Sequence, residues 1–129
     1  MPDREQTARP ILIVDDEAIV RESIRDWLVA SGFTVSTAAS GEEALKMASG
    51  QDFGVVVLDI RLPGMTGLKT LQELRALKPG IKAIMITAYP TPEFSSEAAK
   101  LGALDFVVKP VNPEDLENLI NKALRTASK

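Results

Sequence analysis

Residues 55–68 read VVVLDIRLPGMTGL, and the reading of the fold turns on them. Four consecutive apolar residues, rich in β-branched side chains, suit a strand covered on both faces, where an alternating pattern would suit a surface strand. An acid, Asp59, closes the run, and Gly64 suits a tight turn. From about Thr66 to Leu77 the leucines 68, 71, 74 and 77 recur at helical spacing until Pro79-Gly80 ends them. A buried strand, a loop and an amphipathic helix in that order make half of a parallel crossover unit.

Outward from this stretch the same alternation repeats. Ile11 to Val14, Phe33 to Thr37, Val55 to Leu58, Ile81 to Ile86 and Leu104 to Val108 read as strands. A first helix, Glu17 to Ala30, places Ile19, Val20, Ile24, Trp27 and Leu28 on one face, with Gly32 as its stop. A second begins at Ser40, with Glu43 three residues on as a capping box and Ala44, Leu45, Met47 and Ala48 on its apolar side. The fourth, Thr91 to Leu101, has Pro90 and Pro92 crowding its start and only Phe94, Ala98 and Leu101 as an apolar face. The fifth opens with Asn112 as N-cap and Pro113 at the first helical position, and carries Leu116, Leu119, Ile120 and Leu124 inward. Strict alternation with near-continuous apolar strands predicts an α/β fold, a five-stranded parallel (βα)5 doubly wound sandwich. Trp27, the leucine rows and the methionines are expected in its core.

The 129 residues, 45% of them hydrophobic, are enough for one domain with one sizeable core. That domain is expected over residues 10–126, between a polar, aperiodic N-terminal tail, 1–9, and a short C-terminal tail, 127–129. Fifteen basic and eighteen acidic residues leave a formal charge of −3 with no basic run, which argues against direct nucleic-acid binding. The apolar runs fall far short of the roughly 20 residues of a membrane span, and the start lacks a signal-peptide core, so a cytoplasmic protein without membrane association is expected. Neither cysteine nor histidine is present. Disulfides, thiolate nucleophiles, imidazole bases and His/Cys metal sites are thereby removed, and chemistry is left to carboxylates, lysine and hydroxyls.

In open parallel sheets function gathers at the carboxyl ends of the strands. Asp15, Asp16 and Glu17 follow the first strand, Asp59 the third, Thr87 the fourth and Lys109 the fifth. Taken singly each is ordinary: consecutive acids favour a helix first turn, Asp59 can open a loop, Thr87 can cap a helix, and Lys109 can be solvated. Together they form a consistent chemistry. Three carboxylates converging from two strand ends repel unless a cation lies among them, and oxygen-only ligands favour a hard ion, Mg²⁺ by ligand type.

The segments ILIVDDE, VVVLDIRLPGMTGL, IMITAY and GALDFVVKP resemble the four signature segments of response-regulator receiver domains, in the same order, over about residues 10 to 126. The resemblance implies a flavodoxin-like strand order, 2-1-3-4-5. It implies Asp59 as the acceptor of a phosphoryl group from a histidine kinase or phosphotransfer protein. Asp16 and Asp59 would be side-chain ligands of Mg²⁺, with Asp15 holding metal-bound water and Arg61 contributing its carbonyl. Lys109 and Thr87 would contact phosphoryl oxygens, and Ala88 would leave the group room to enter. The switch would be Thr87 and Phe106, read out by the fourth helix, fifth strand and fifth helix toward an output domain or protein, or through a phosphorylation-dependent homodimer. A cis Lys109-Pro110 bond fits the same family. The resemblance further implies catalysis in a restricted sense, self-phosphorylation from small donors and autodephosphorylation.

Some positions depart from the family pattern. Pro90 and Pro92 restrict the loop after Thr87, and Val111 stands where a larger aromatic often follows Lys-Pro. Arg61 and Tyr89 flank the site at positions expected to tune phosphoryl lifetime. A phosphorylation-independent docking module remains the alternative. A haloacid-dehalogenase-type phosphatase is disfavoured, because Arg61 stands where its general acid is needed. A nucleotide binder is disfavoured by acids, in place of a Gly-rich loop, after the first strand.

Overall fold

The structure, a computed structural model, describes residues 10–125; the two expected tails lie outside the described residues, as does the last residue of the expected domain. The elements alternate strictly: β1 (Ile11–Val14), α1 (Ala18–Ala30), β2 (Val35–Ala38), α2 (Gly41–Gly50), β3 (Val55–Asp59), α3 (Gly67–Leu77), β4 (Lys82–Thr87), α4 (Pro92–Lys100), β5 (Asp105–Val108) and α5 (Pro113–Arg125). All five strands pair in parallel in the order β2-β1-β3-β4-β5, as expected.

Side chains alternate across a strand, so each strand feeds two cores. Leu12, Val14, Val56, Leu58, Ala83 and Met85 pack with Ala44 and Ala48 of α2, Leu71 and Leu74 of α3 and Ala98 of α4. On the other face Ile11, Ile13, Val55, Val57, Ile84 and Ile86 pack with Ile24 and Leu28 of α1 and with Leu116, Ile120 and Ala123 of α5. The strands buried on both faces are the ones that read as continuous apolar runs.

Capping explains most helix starts. The Ser40 hydroxyl accepts from the Glu43 N–H at 3.1 Å, and the Glu43 carboxylate reaches back to the Ala39 N–H at 2.8 Å. Thr66 caps α3, and Thr91 caps α4 with Pro92 opening the helix, which settles where the proline-crowded fourth helix begins. Asn112 Oδ1 accepts from both Glu114 and Asp115 N–H groups at the start of α5. Glu17 occupies the N-cap of α1 but makes no side-chain cap bond.

Three sequence expectations are corrected. β2 starts at Val35, two residues later than expected, because the Phe33 N–H is spent on the Leu28 carbonyl at the end of α1, where Gly32 adopts a φ of 101°. Trp27 is 42% exposed, outside the core, with its indole N–H donating to Glu117 Oε1 at 2.7 Å. An indole needs a partner for its N–H, and the rim between α1 and α5 supplies one. Ile19 and Leu77 also face outward, at 84% and 44% exposure, because the buried strip of each helix is narrower than its apolar face. Among the described residues no helix is long and apolar enough to cross a membrane.

Candidate functional site

Register sets the site. Val14 pairs with Leu58, so Asp15 and Asp59 occupy equivalent positions at neighbouring strand ends. Asp59 pairs with Ile86 and Thr87 with Val108, which carries Thr87 and then Lys109 to the same edge. The Lys109 N–H donates to the Thr87 carbonyl at 2.7 Å and fixes the start of the lysine side chain.

Asp15 is wholly buried and Asp59 is 3% exposed. One oxygen of each is held by a backbone N–H two residues on: Glu17 donates to Asp15 Oδ1 at 2.8 Å, and Arg61 to Asp59 Oδ1 at 3.0 Å. Arg21 donates to the Asp15 carbonyl at 2.7 Å and so contacts its main chain. The Lys109 ammonium lies among three carboxylates, 3.0 Å from Asp59 Oδ2, 2.9 Å from Glu17 Oε1 and 3.1 Å from Asp15 Oδ2. The Asp15 contact is an ion pair without directed hydrogen-bond geometry, so Asp15 Oδ2 is a buried oxygen with no hydrogen-bond partner among the described residues.

Burial pushes the Asp15 carboxyl above the usual aspartate range, outweighing the Glu17 N–H and Lys109 contacts that pull it down, and the Asp59 charge adds to the rise. At Lys109 burial opposes the charged form, yet contacts with the Glu17, Asp59 and Asp15 carboxylates hold the ammonium above the ordinary lysine value.

Thr87 is fully buried, and its hydroxyl accepts from the Tyr89 N–H at 3.0 Å. Phe106, on β5, is half-buried against the core cluster that includes Ala98 of α4. Asp16 is exposed and shares with Arg61 the rim of a cleft floored by Ile60, Leu62 and Phe94. The Arg61 guanidinium lies over the Tyr89 ring. The Lys109-Pro110 bond is cis, as expected.

The structure therefore brings Asp15, Asp59 and Lys109 into contact, with Thr87 at the same sheet edge, Asp16 exposed beside the cleft and Phe106 packed against the core. Glu17 carries more of the site than its sequence position suggests. Its carboxylate joins those of Asp15 and Asp59 in a group whose ligand oxygens lie within 4.8 Å of one another. The sequence signal was the third consecutive acid, read there as part of a helix first turn. The donor set of carboxylate oxygens, one of them buried and without a hydrogen-bond partner among the described residues, fits a hard divalent cation.

Residues 11–121 match the response regulator receiver domain family. The chain belongs to that family. It is 39% identical over 118 residues to the transcriptional regulatory protein ZraR of Escherichia coli, covering 88% of this chain and 26% of that protein. The chain thus spans about a quarter of the length of that relative. A CheY-like receiver domain protein from Methanospirillum hungatei superposes with a TM-score of 0.88 at 37% identity, over 91% of this chain and 94% of that one. The response regulator TrrA of Thermotoga maritima, solved in complex with Mg²⁺ and BeF, gives a TM-score of 0.80 at 36% identity, over 89% and 98% of the two chains. This receiver domain has the five-stranded CheY-like order, and its buried Asp15 and Asp59 pocket is consistent with the phosphoacceptor site of a two-component response regulator. Receiver domains of response regulators interact with histidine kinases and with output domains.

Proposed function

We propose that Asp59 is the phosphoacceptor of this receiver, taking a phosphoryl group from the phosphohistidine of a histidine kinase or phosphotransfer protein. The placement of Asp59 on the central strand carries this reading: Asp15 and Glu17 meet it from the β1 side, Thr87 and Lys109 from the β4 and β5 side. In the transfer an Asp59 carboxylate oxygen forms the bond to phosphorus as the donor nitrogen leaves with the electron pair of the broken N–P bond. Arg61 N–H fixes one carboxylate oxygen, so the other is presented in one orientation. Lys109 is in place to donate to an equatorial phosphoryl oxygen, and Thr87 can exchange its Tyr89 bond for another.

Asp15, Asp16, Asp59 and the Arg61 carbonyl are the residues proposed to hold Mg²⁺. When bound, the ion offsets the charge that otherwise keeps two anions apart. The change at Thr87 and the half-buried Phe106 would bias the face of α4, β5 and α5, where an output domain or protein, or a second copy after phosphorylation, would read the signal. We place this unit at residues 10–126 and in the cytoplasm.

Intact mass after incubation with acetyl phosphate and Mg²⁺ tests the proposal. One phosphoryl group, stable to acid and labile to hydroxylamine, is expected on the parent protein and absent from Asp59→Asn and from a chelated sample. A folded parent that stays unlabelled, with a cognate kinase also ineffective, overturns it and leaves a phosphorylation-independent docking module.

A further inference from the structure

An ammonium has three N–H donors, and at Lys109 three carboxylates surround them. Two of the three, Glu17 and Asp59, accept directed hydrogen bonds and Asp15 adds an ion pair, so an incoming phosphoryl donor meets an ammonium already neutralised and gains its full charge only where one carboxylate yields. Asp15 and Asp59 are poorly suited to do so. Each stands at a strand end, is buried, and has its second oxygen fixed by a backbone N–H. Glu17 differs on every count. Its side chain is 61% exposed, it is longer by one methylene, and at the N-cap of α1 it makes no cap bond that would tether it. Its contact with Lys109 bridges the start of α1 to the end of β5, 92 positions apart, and an ion pair open to water is cheap to break.

We infer that Glu17 is a displaceable counter-ion of Lys109, holding the ammonium in the resting site and surrendering it to the anionic phosphoryl donor. This rests on Asp59 being the phosphoacceptor. A carboxylate in that role sets how much donor is needed and leaves the rate of the bound donor alone, because the contact Lys109 gains is made in the bound donor and in the transition state alike. Removing the charge helps twice, by replacing a charge-assisted bond to Lys109 with a weaker neutral one and by taking one negative charge from the path of an anion. A Glu17 that served as a metal ligand would behave in the opposite way, since its loss would weaken Mg²⁺ binding.

The test is an acetyl phosphate titration at saturating Mg²⁺, followed by intact mass, for the parent and for Glu17→Gln, at low and high ionic strength. Calorimetric titration of Mg²⁺ alone into each protein runs beside it. The expected result is a KM for acetyl phosphate lower by about two- to fivefold in Glu17→Gln, in keeping with the worth of an exposed ion pair. The advantage should shrink at high salt, where an exposed charge is screened. An unchanged or higher KM on a parent that labels normally overturns the inference and leaves the Asp59 assignment standing. Weaker Mg²⁺ binding by Glu17→Gln overturns it in favour of a ligand role. A folded parent that never labels removes the Asp59 assignment and this inference with it.

Discussion

The guanidinium carbon of Arg61 lies 4.9 Å from the centroid of the Tyr89 ring, which ties the loop after β3 to the loop after β4 across the mouth of the site. The main chains of the same two residues hold the site's side chains: Arg61 N–H bonds Asp59 and Tyr89 N–H bonds Thr87. The stack therefore couples the segment that orients the acceptor to the segment that holds the threonine. Both partners are exposed, and a cation over an exposed aromatic face contributes about 0.5–1 kcal/mol. A urea-denaturation cycle of Arg61→Met, Tyr89→Leu and the double variant should return a coupling of about that size. Strict additivity would mean that the two loops are independent.

Gly67 opens α3 directly against the end of β3. A Cβ there would collide with the Asp59 carbonyl oxygen and stand 2.6 Å from the Ile60 Cα, and neither backbone atom can give way cheaply. Gly67→Ala should cost about 1–3 kcal/mol through overpacking and should slow labelling at Asp59. Gly50→Ala is the control. It lies at the end of α2 with nothing among the described residues within 4 Å of its added methyl, and should be neutral or slightly stabilising. Equal urea midpoints for the two variants would show that α3 can retreat from β3 at little cost.

The alternation of strands and helices was readable because a strand buried on both faces leaves an unbroken apolar run, as at Val55 to Leu58. Element ends were less readable, since they depend on which neighbour claims a backbone group, as Leu28 claims the N–H of Phe33. Strand order came from family likeness, because periodicity does not rank strands. In the site, Asp15, Asp59 and Lys109 were visible as strand-end residues of matching chemistry. The Glu17 contact was not, because an acid at a helix start is already accounted for by the helix dipole and its partner lies 92 positions away. Trp27 was misplaced for a related reason: hydrophobicity argued for the core, while the need of its indole N–H for a partner decided for the rim.

Trp27 is the single tryptophan, which makes its rim position useful. Glu117 Oε1 accepts from both the Trp27 indole and the Ser31 hydroxyl, and so joins α5 to the end of α1. Glu117→Ala should lower stability by about 0.5–1.5 kcal/mol and shift the fluorescence emission as the indole N–H turns to water. Glu117→Gln keeps an acceptor oxygen and should retain most of both. A Gln variant that behaves like Ala would assign the effect to charge instead of to the bond.

Asp15 is the residue at which stability and function oppose one another. Its folded-state pKa is raised chiefly by burial, so the folded chain holds a proton at this site more readily than the unfolded chain does. The group therefore favours folding most below the ordinary aspartate pKa of about 3.9, and that advantage is lost as pH rises through the raised folded value. Without metal, burial makes the charged form of Asp15 a burden that Lys109 only partly offsets. Asp15→Asn should then raise stability by on the order of 1 kcal/mol at pH 7 in EDTA, since Lys109 keeps its bonds to Asp59 and Glu17. The gain should fade as pH falls through the carboxylate range and vanish below about pH 3.9. The same variant, lacking one carboxylate of the proposed cation site, should lose most of its Mg²⁺-dependent labelling. Urea midpoints of parent and variant across the acid range, in EDTA, measure the first effect, and intact mass measures the second. A destabilised Asp15→Asn at pH 7 would show that the pairing with Lys109 outweighs the burial of the acid.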